Sequence, residues 1–108
     1  MILIVSKYLI PKGYSGLTIF PFVIIKTKKR KYLEVLINHE KIHLRQQLEM
    51  GILLFFLWYL IEFLVRWIKF KDSYIAYKNI CFEREAYLYE KDLNYLEKRC
   101  FWFFLKYI

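Results

Sequence analysis

The chain has 108 residues, enough for one domain but too few for two domains with separate hydrophobic cores. Its hydrophobic fraction of 58% and aromatic fraction of 21% are high for a soluble domain, so we expect some apolar surface to face a partner or a bilayer. Eighteen basic and ten acidic residues give a net charge of +8, which suits nucleic acid or anionic lipid. The basic residues are dispersed and form no nucleic-acid recognition motif, so we expect no nucleic-acid partner.

The cysteine spacing and the N-terminal residues indicate the cellular compartment in which we expect the chain. Cys81 and Cys100 have neither disulfide-framework nor CxxC spacing, and we expect both to be small buried hydrophobic residues. The apolar start, residues 1–10, lacks the basic segment and the small-residue cleavage site of a signal peptide. These features favour a reduced, cytoplasmic location and leave contact with a membrane surface open.

The N-terminal third of the chain predicts β-structure. Residues 2–5 and 17–25 are rich in the β-branched and aromatic side chains typical of strands. The connection between them contains turn-forming residues, namely Pro11, Gly13 and Gly16. Because Pro21 has no amide hydrogen to donate, it places the second strand at a sheet edge or interrupts it. The basic cluster within residues 26–31 then predicts a solvated loop.

From Tyr32 onward the apolar residues follow a helical period. Their 3.6-residue spacing predicts a helix over residues 32–50, and Gly51 predicts its break. The apolar run over 50–65 is shorter than the stretch of about twenty residues that a membrane span needs. We therefore interpret it as a buried or interfacial helix in preference to a span.

The last third of the chain predicts two more helices and an apolar tail. Asp72 and Ser73 are candidate N-caps for a short helix through Tyr77. A long helix follows over residues 82–99, and we expect the apolar tail over 101–108 to dock on the core or on a membrane. The whole pattern predicts an α+β fold, in which a short N-terminal β-hairpin or sheet packs on three to four α-helices.

The most informative stretch is His39-Glu40-Lys41-Ile42-His43. On a helix, the i, i+4 spacing places both imidazoles on one face, where they can bind one metal ion. Zinc lowers the pKa of a bound water to about 7, and Glu40 can then take the proton of that water as general base. This is the HExxH pattern of zinc hydrolases. The chain contains only these two histidines, and both fall inside the motif.

A catalytic zinc site needs a third protein ligand and one open position. Since no third histidine exists, the ligand must be a carboxylate. The candidates are Glu49, Glu62, Asp72, Glu83, Glu85, Glu90, Asp92 and Glu97. Glu49 lies on the motif helix and cannot bend back to the metal, whereas a ligand from another helix reaches it easily. This geometry favours residues 83–90.

The pattern resembles that of gluzincin peptidases, which carry HExxH on one helix and a glutamate on a later helix, commonly in a Glu-x-x-Ala-Asp setting. Here residues 83–87 read Glu-Arg-Glu-Ala-Tyr, and the strand–helix–helix order is similar to the compact minigluzincins. The resemblance implies a zincin-like domain over residues 1–108, with zinc bound by His39, His43 and Glu83. It also implies that Ala86 lets the two helices approach. Glu85 remains the alternative third ligand.

Tyr87 departs from the family pattern, in which an aspartate orients a ligating histidine through its free N–H. That role then falls to Glu90, Asn94 or a backbone carbonyl. Tyr87 is a candidate catalytic residue that donates a hydrogen bond to an oxyanion, with aromatic packing as the competing interpretation. Gln47 lies on the His43 face, where it could support the site.

We therefore expect a zinc-dependent metallopeptidase that hydrolyses peptide bonds. In the resembling families an edge strand beside the motif helix pairs with the extended substrate, which makes a peptide or protein the expected partner along the strand from Thr18 to Ile25. The alternative is a non-catalytic, membrane-associated small helical protein whose apolar hairpin and basic loops are its purpose. The first hypothesis requires His39, His43 and a distant glutamate to converge, and the second does not.

Overall fold

The computed structural model describes residues 1–11, 14–27, 31 and 33–108. Three strands, β1 (Ile2–Val5), β2 (Gly16–Ile19) and β3 (Phe22–Ile25), form a small mixed sheet in the order β1-β3-β2. β1 runs parallel to β3, and β2 pairs antiparallel with β3. The predicted strand over 17–25 is thus a hairpin, interrupted at the Phe20–Pro21 turn. Most of the predicted basic loop, together with residues 12, 13 and 32, lies outside the described residues.

Two long helices follow the sheet and meet at a sharp angle. α1 (Leu33–Met50) and α2 (Ile52–Phe70) are bent by 111° relative to each other. Gly51 between them has a φ of 83°, a conformation that side-chain-bearing residues rarely adopt. Among the described residues, no single helix is long and apolar enough to cross a membrane, and the bent pair α1–α2 reaches that length and composition only jointly.

The predicted capping of a short helix agrees with the structure. α3 (Ser73–Lys78) begins after Asp72, whose carboxylate accepts hydrogen bonds from the amides of Tyr74 and Ile75. Ser73 is therefore the first helical residue and Asp72 is the N-cap.

The long helix predicted over residues 82–99 is instead two helices, α4 (Cys81–Tyr89) and the one-turn α5 (Tyr95–Lys98). Asn38 of α1 explains the break, because its Nδ2 lies 2.8 Å from the Glu90 carbonyl and 2.9 Å from the Asp92 carbonyl. A side chain from another helix thus satisfies carbonyls at the end of α4. Sequence periodicity does not reveal such a long-range cap.

The α+β prediction is confirmed: the described residues form five α-helices, more than the three to four predicted, and a C-terminal 3-10 helix (Phe103–Tyr107), packed with the sheet. The main core lies where α1, α2 and α4 meet, and Phe82 is fully buried there against Phe55 and Phe104. A second cluster joins α1 to α4 through Ile42 and Ala86. Both are fully buried, which agrees with Ala86 allowing the two helices to approach.

One burial prediction was wrong, and a second is narrowed by the structure. Cys81 is buried as expected, but Cys100, which lies two residues beyond the end of α5, is exposed. Of the two alternatives for the apolar run over 50–65, the buried helix does not agree with the structure, since Phe55 is the only buried residue of α2, and the interfacial helix stays a prediction.

Candidate metal centre

His39, His43 and Glu83 converge on one point between α1 and α4. His43 Nε2 lies 3.1 Å from Glu83 Oε1, and His39 Nε2 lies 3.2 Å from both Glu83 Oε1 and His43 Nε2. Ligand atoms that bind one tetrahedral metal ion at about 2.1 Å are about 3.4 Å apart. Among the described residues these three form a buried His-His-Glu group that could hold a metal ion, with all ligand atoms within 4.8 Å of one another.

The Nδ1 atom of each imidazole, which does not face Glu83, lies next to a hydrogen-bond acceptor. His39 Nδ1 lies 2.9 Å from Glu90 Oε2, and His43 Nδ1 lies 2.8 Å from Gln46 Oε1. An imidazole that donates from Nδ1 keeps a lone pair on Nε2 in its neutral form. Two Nε2 lone pairs and a carboxylate oxygen therefore face one another, and a cation is the group that satisfies all three. The donor set fits a metal ion on this ground.

A buried polar network fixes the orientation of Gln46. Its Nε2 donates to the Phe82 carbonyl at 3.1 Å and to Glu85 Oε1 at 2.9 Å, so its Oε1 must be the atom that faces His43. Glu85 also accepts hydrogen bonds from Tyr95 and from the buried guanidinium of Arg99. The structure thus places Glu83 at the imidazoles and Glu85 in a supporting network behind them.

Tyr59 of α2 holds the second oxygen of Glu83. Its hydroxyl donates to Glu83 Oε2 at 2.7 Å, which leaves Oε1 directed at the two imidazoles. The sequence does not predict this role, because Tyr59 lies inside an apolar run and gives no local signal. Gln46 was likewise missed, although its i+3 position relative to His43 places it on the same helix face.

The ionisable groups of the centre strongly change one another's pKa values. Burial lowers the pKa of His39, but its hydrogen bonds to Glu83 and Glu90 outweigh burial and raise the pKa to about 10. The pKa of His43 is also raised, because attraction by Glu83 outweighs the same burial effect. Burial alone would raise the pKa of Glu83, yet the two imidazoles hold it well below its ordinary value. Without metal, a proton on the imidazoles therefore balances the carboxylate.

Glu40 lies beside this centre at the wall of a cavity of about 410 Å³ that His43 and Glu83 also line. Thr18 of β2 donates to Glu40 Oε2 at 2.6 Å and fixes the carboxylate. A Cβ at Gly16 would lie 2.8 Å from Glu40 Oε1, so the absence of a side chain there permits the close approach of β2 to Glu40. The site thus combines a ligand triad, a positioned carboxylate and an accessible cavity.

Tyr87 packs its ring edge-on against His39, with 4.5 Å between ring centroids. Its hydroxyl lies 2.9 Å from the hydroxyl of Tyr77, and Lys78 lies over its ring. These contacts suit a packing residue, but Tyr87 also lines a cavity with His39, Glu40 and Glu90, so its role as a hydrogen-bond donor to an oxyanion stays a prediction. Tyr77, not Tyr87, lines the cavity beside Glu83. Glu90 supplies the acceptor for His39 that was predicted to replace the missing aspartate.

The other candidate carboxylates have different partners. Glu49 pairs with Arg99, Glu62 accepts from the Cys81 amide, and Asp72 caps α3. Asp92 pairs with Lys98 at 2.7 Å. The structure brings none of these to the two histidines.

Gln47 contacts the sheet and not the imidazoles. Its Nε2 donates to the Thr18 carbonyl at 2.6 Å, and its Oε1 accepts from the Phe20 amide at 2.7 Å. This side chain therefore pairs with the edge strand β2 much as a neighbouring strand would.

Comparisons of the chain with known protein families, with curated proteins and with solved structures give no match. The assignment of a metal centre therefore depends on the geometry and the hydrogen bonding of the site.

We predict that Glu90→Ala weakens metal binding by about 10- to 100-fold, because His39 loses the acceptor that fixes its tautomer and ring orientation. A competition titration of zinc against a chromogenic chelator measures this affinity. Glu97→Ala, an exposed glutamate on α5, is the matched control and should bind as wild type does. Equal affinity of the Glu90 and Glu97 variants would show that Glu90 does not orient a ligand.

We also predict that the stability of the metal-free protein falls as the pH rises, while the stabilisation by zinc increases. The pKa of His39 rises from about 6.5 in the unfolded chain to about 10 in the fold. The stability that this proton contributes is fully present below about pH 6.5 and is lost as the pH rises towards about 10. Metal displaces the proton, so the stabilisation by zinc should grow over the same range.

Thermal unfolding in chelator and in excess zinc, over a series of pH values, tests this contrast. His39→Gln should make the metal-free curve flatter, since it removes one of the groups that titrate, and should abolish the stabilisation by zinc, since it removes a ligand. A metal-free stability that rises with pH between about 6.5 and 9 would contradict the assigned charge state.

Proposed function

We propose that this chain is a zinc-dependent metallopeptidase of the gluzincin type. The observation that carries the proposal is the convergence of His39, His43 and Glu83, with Glu40 at the wall of the cavity that His43 and Glu83 line. A ligand group alone would suit a structural metal site, whereas an additional carboxylate that Thr18 positions at the wall of an open cavity suits hydrolysis.

Zinc is the metal that this ligand set fits best. Two imidazole nitrogens and one carboxylate oxygen form the three-ligand set of catalytic zinc sites that keep a fourth position open. Softer thiolate ligands are not involved, since Cys81 is fully buried in the core with its amide bonded to Glu62 and Cys100 is exposed. When bound, zinc would polarise a peptide carbonyl and lower the pKa of a water molecule.

Glu40 carries the proton in the proposed reaction. Its carboxylate takes a proton from the attacking water, whose oxygen bonds to the carbonyl carbon of the peptide. The bond between that carbon and the peptide nitrogen then breaks, and the leaving amine receives the proton from Glu40. Thr18 and Gly16 keep this carboxylate in place from the sheet side.

The cavity indicates the kind of substrate. α2 contributes Phe55, Phe56 and Phe63 to its lining, and β2 contributes Leu17 and Thr18. An apolar side chain of a peptide or protein fits this aromatic wall. Because Gln47 occupies the Thr18 carbonyl and the Phe20 amide, we propose that an extended substrate pairs with β2 at its Gly16 end.

Hydrolysis can be tested directly by incubating the zinc-loaded chain with a proteome-derived peptide library in water enriched in oxygen-18. We expect new carboxyl termini that carry the label, detected by mass spectrometry. Glu40→Gln should bind zinc as wild type does but cleave about 100- to 10,000-fold more slowly, because the general base is lost.

Glu34→Gln, an exposed glutamate on the same helix, is the matched control and should cleave normally. The proposal fails if zinc-loaded wild type releases no labelled termini. It also fails if Glu40→Gln cleaves as fast as Glu34→Gln.

A further inference from the structure

The second long helix, α2, has apolar side chains on its exposed face. Between Leu53 and Ile68, every exposed residue of α2 is Leu, Ile, Val or Trp. The aliphatic members recur at helical spacing and form one stripe, here called the outer face: Leu53, Leu54, Leu57, Leu60, Ile61, Leu64, Val65 and Ile68. Leu53 is 86% exposed and Ile68 is 79% exposed. A surface helix of a water-soluble protein shows the opposite pattern.

The charged residues in the middle of α2 point towards the protein. The side chains of Glu62 and Arg66 are only 10% and 20% exposed, and they pair with each other at 3.4 Å. Glu62 also accepts from Trp58 Nε1 at 3.0 Å and from the Cys81 amide at 2.9 Å. Charged groups that are shielded and pair with each other, while aliphatic groups face outward, suit a hydrocarbon environment. Arg66 Nε alone among the described residues is a buried side-chain donor without a hydrogen-bond partner.

We propose that the outer face of α2 lies against the hydrocarbon of a lipid bilayer that carries anionic headgroups. A surface that binds another protein usually has a core of aromatic residues and arginine, surrounded by a rim of hydrogen-bonding groups. The outer face offers eight aliphatic side chains and no side-chain hydrogen-bond donor or acceptor among them. Lipid acyl chains need no such group and match this surface.

The C-terminal end of α2 supplies the interfacial groups. Trp67 and Phe70 are exposed there beside Lys69 and Lys71, and Lys69 Nζ lies 5.4 Å from the centroid of the Phe70 ring. Tryptophan and lysine are the residues that anchor a helix at the headgroup level. The net charge of +8 adds attraction to an anionic surface.

The C-terminal segment extends the same apolar surface. Trp102 and Ile108 line a groove together with Leu54, Leu57 and Ile61 of the outer face, and the paired Glu62 and Arg66 also line this groove. Phe104 anchors this segment in the core, whereas Phe101 remains 73% exposed. The tail therefore docks on the core, as expected, and also presents apolar side chains beside α2.

Flotation of the full chain with lipid vesicles tests the proposal. The buffer contains a chelator, so the result does not depend on the metal centre or on catalysis. We expect the chain to float with vesicles of phosphatidylcholine mixed with phosphatidylglycerol, and less with phosphatidylcholine alone. Lys69→Gln with Lys71→Asn should weaken binding to the anionic vesicles by about fivefold per lysine.

Leu57→Gln with Ile61→Gln removes two aliphatic groups from the centre of the outer face and should weaken partitioning by about tenfold or more. The matched control is Leu88→Gln with Leu93→Gln, which changes two equally exposed leucines elsewhere. Circular dichroism verifies that both variants are folded.

Three outcomes would overturn the proposal. Wild type that floats with neither vesicle composition shows that lipid is not the partner. Equal loss of binding in the two paired variants shows that the outer face has no special role. A lipid-free dimer, seen by analytical ultracentrifugation and dissociated by the Leu57 and Ile61 changes, would assign the face to a second copy of the chain.

Discussion

The structure depends on one buried electrostatic arrangement, the Glu83 carboxylate held between the imidazoles of His39 and His43. All three side chains are almost fully buried, and a carboxylate in such a place is costly unless it is paired. This pairing holds α4 against α1 and places the three candidate ligand atoms at distances that suit one cation. The same interaction thus joins two helices and forms the group that could hold a metal ion.

α1 organises most of what surrounds this centre. One turn of α1 carries the two imidazoles. Glu40 lies between them in the sequence and accepts a hydrogen bond from β2. Gln46 donates to Glu85, which pairs with Arg99. Asn38 ends α4 just where Glu90 can reach His39. A single helix therefore positions the ligands, the proposed base and the outer hydrogen-bond partners, which explains how so short a chain can build such a site.

The sequence predicted what depends on local pattern. The i, i+4 histidines, the break at Gly51 and the cap at Asp72 each follow from near neighbours, and the structure agrees with them. The roles of Tyr59 and Gln46 could not be predicted, since they depend on which helices pack together. The sequence also could not decide whether α2 is buried or exposed, because a continuous apolar run suits a buried helix and a lipid-facing helix equally well.

The most direct measurement is the zinc content per chain by elemental analysis, after purification without chelators. Wild type is compared with His39→Ala and Glu83→Ala, and with Glu97→Ala as an exposed control. We predict near-stoichiometric zinc in wild type and in the control, and its loss in both ligand variants. A folded wild-type chain that neither carries zinc nor takes it up would contradict the assignment of a metal centre.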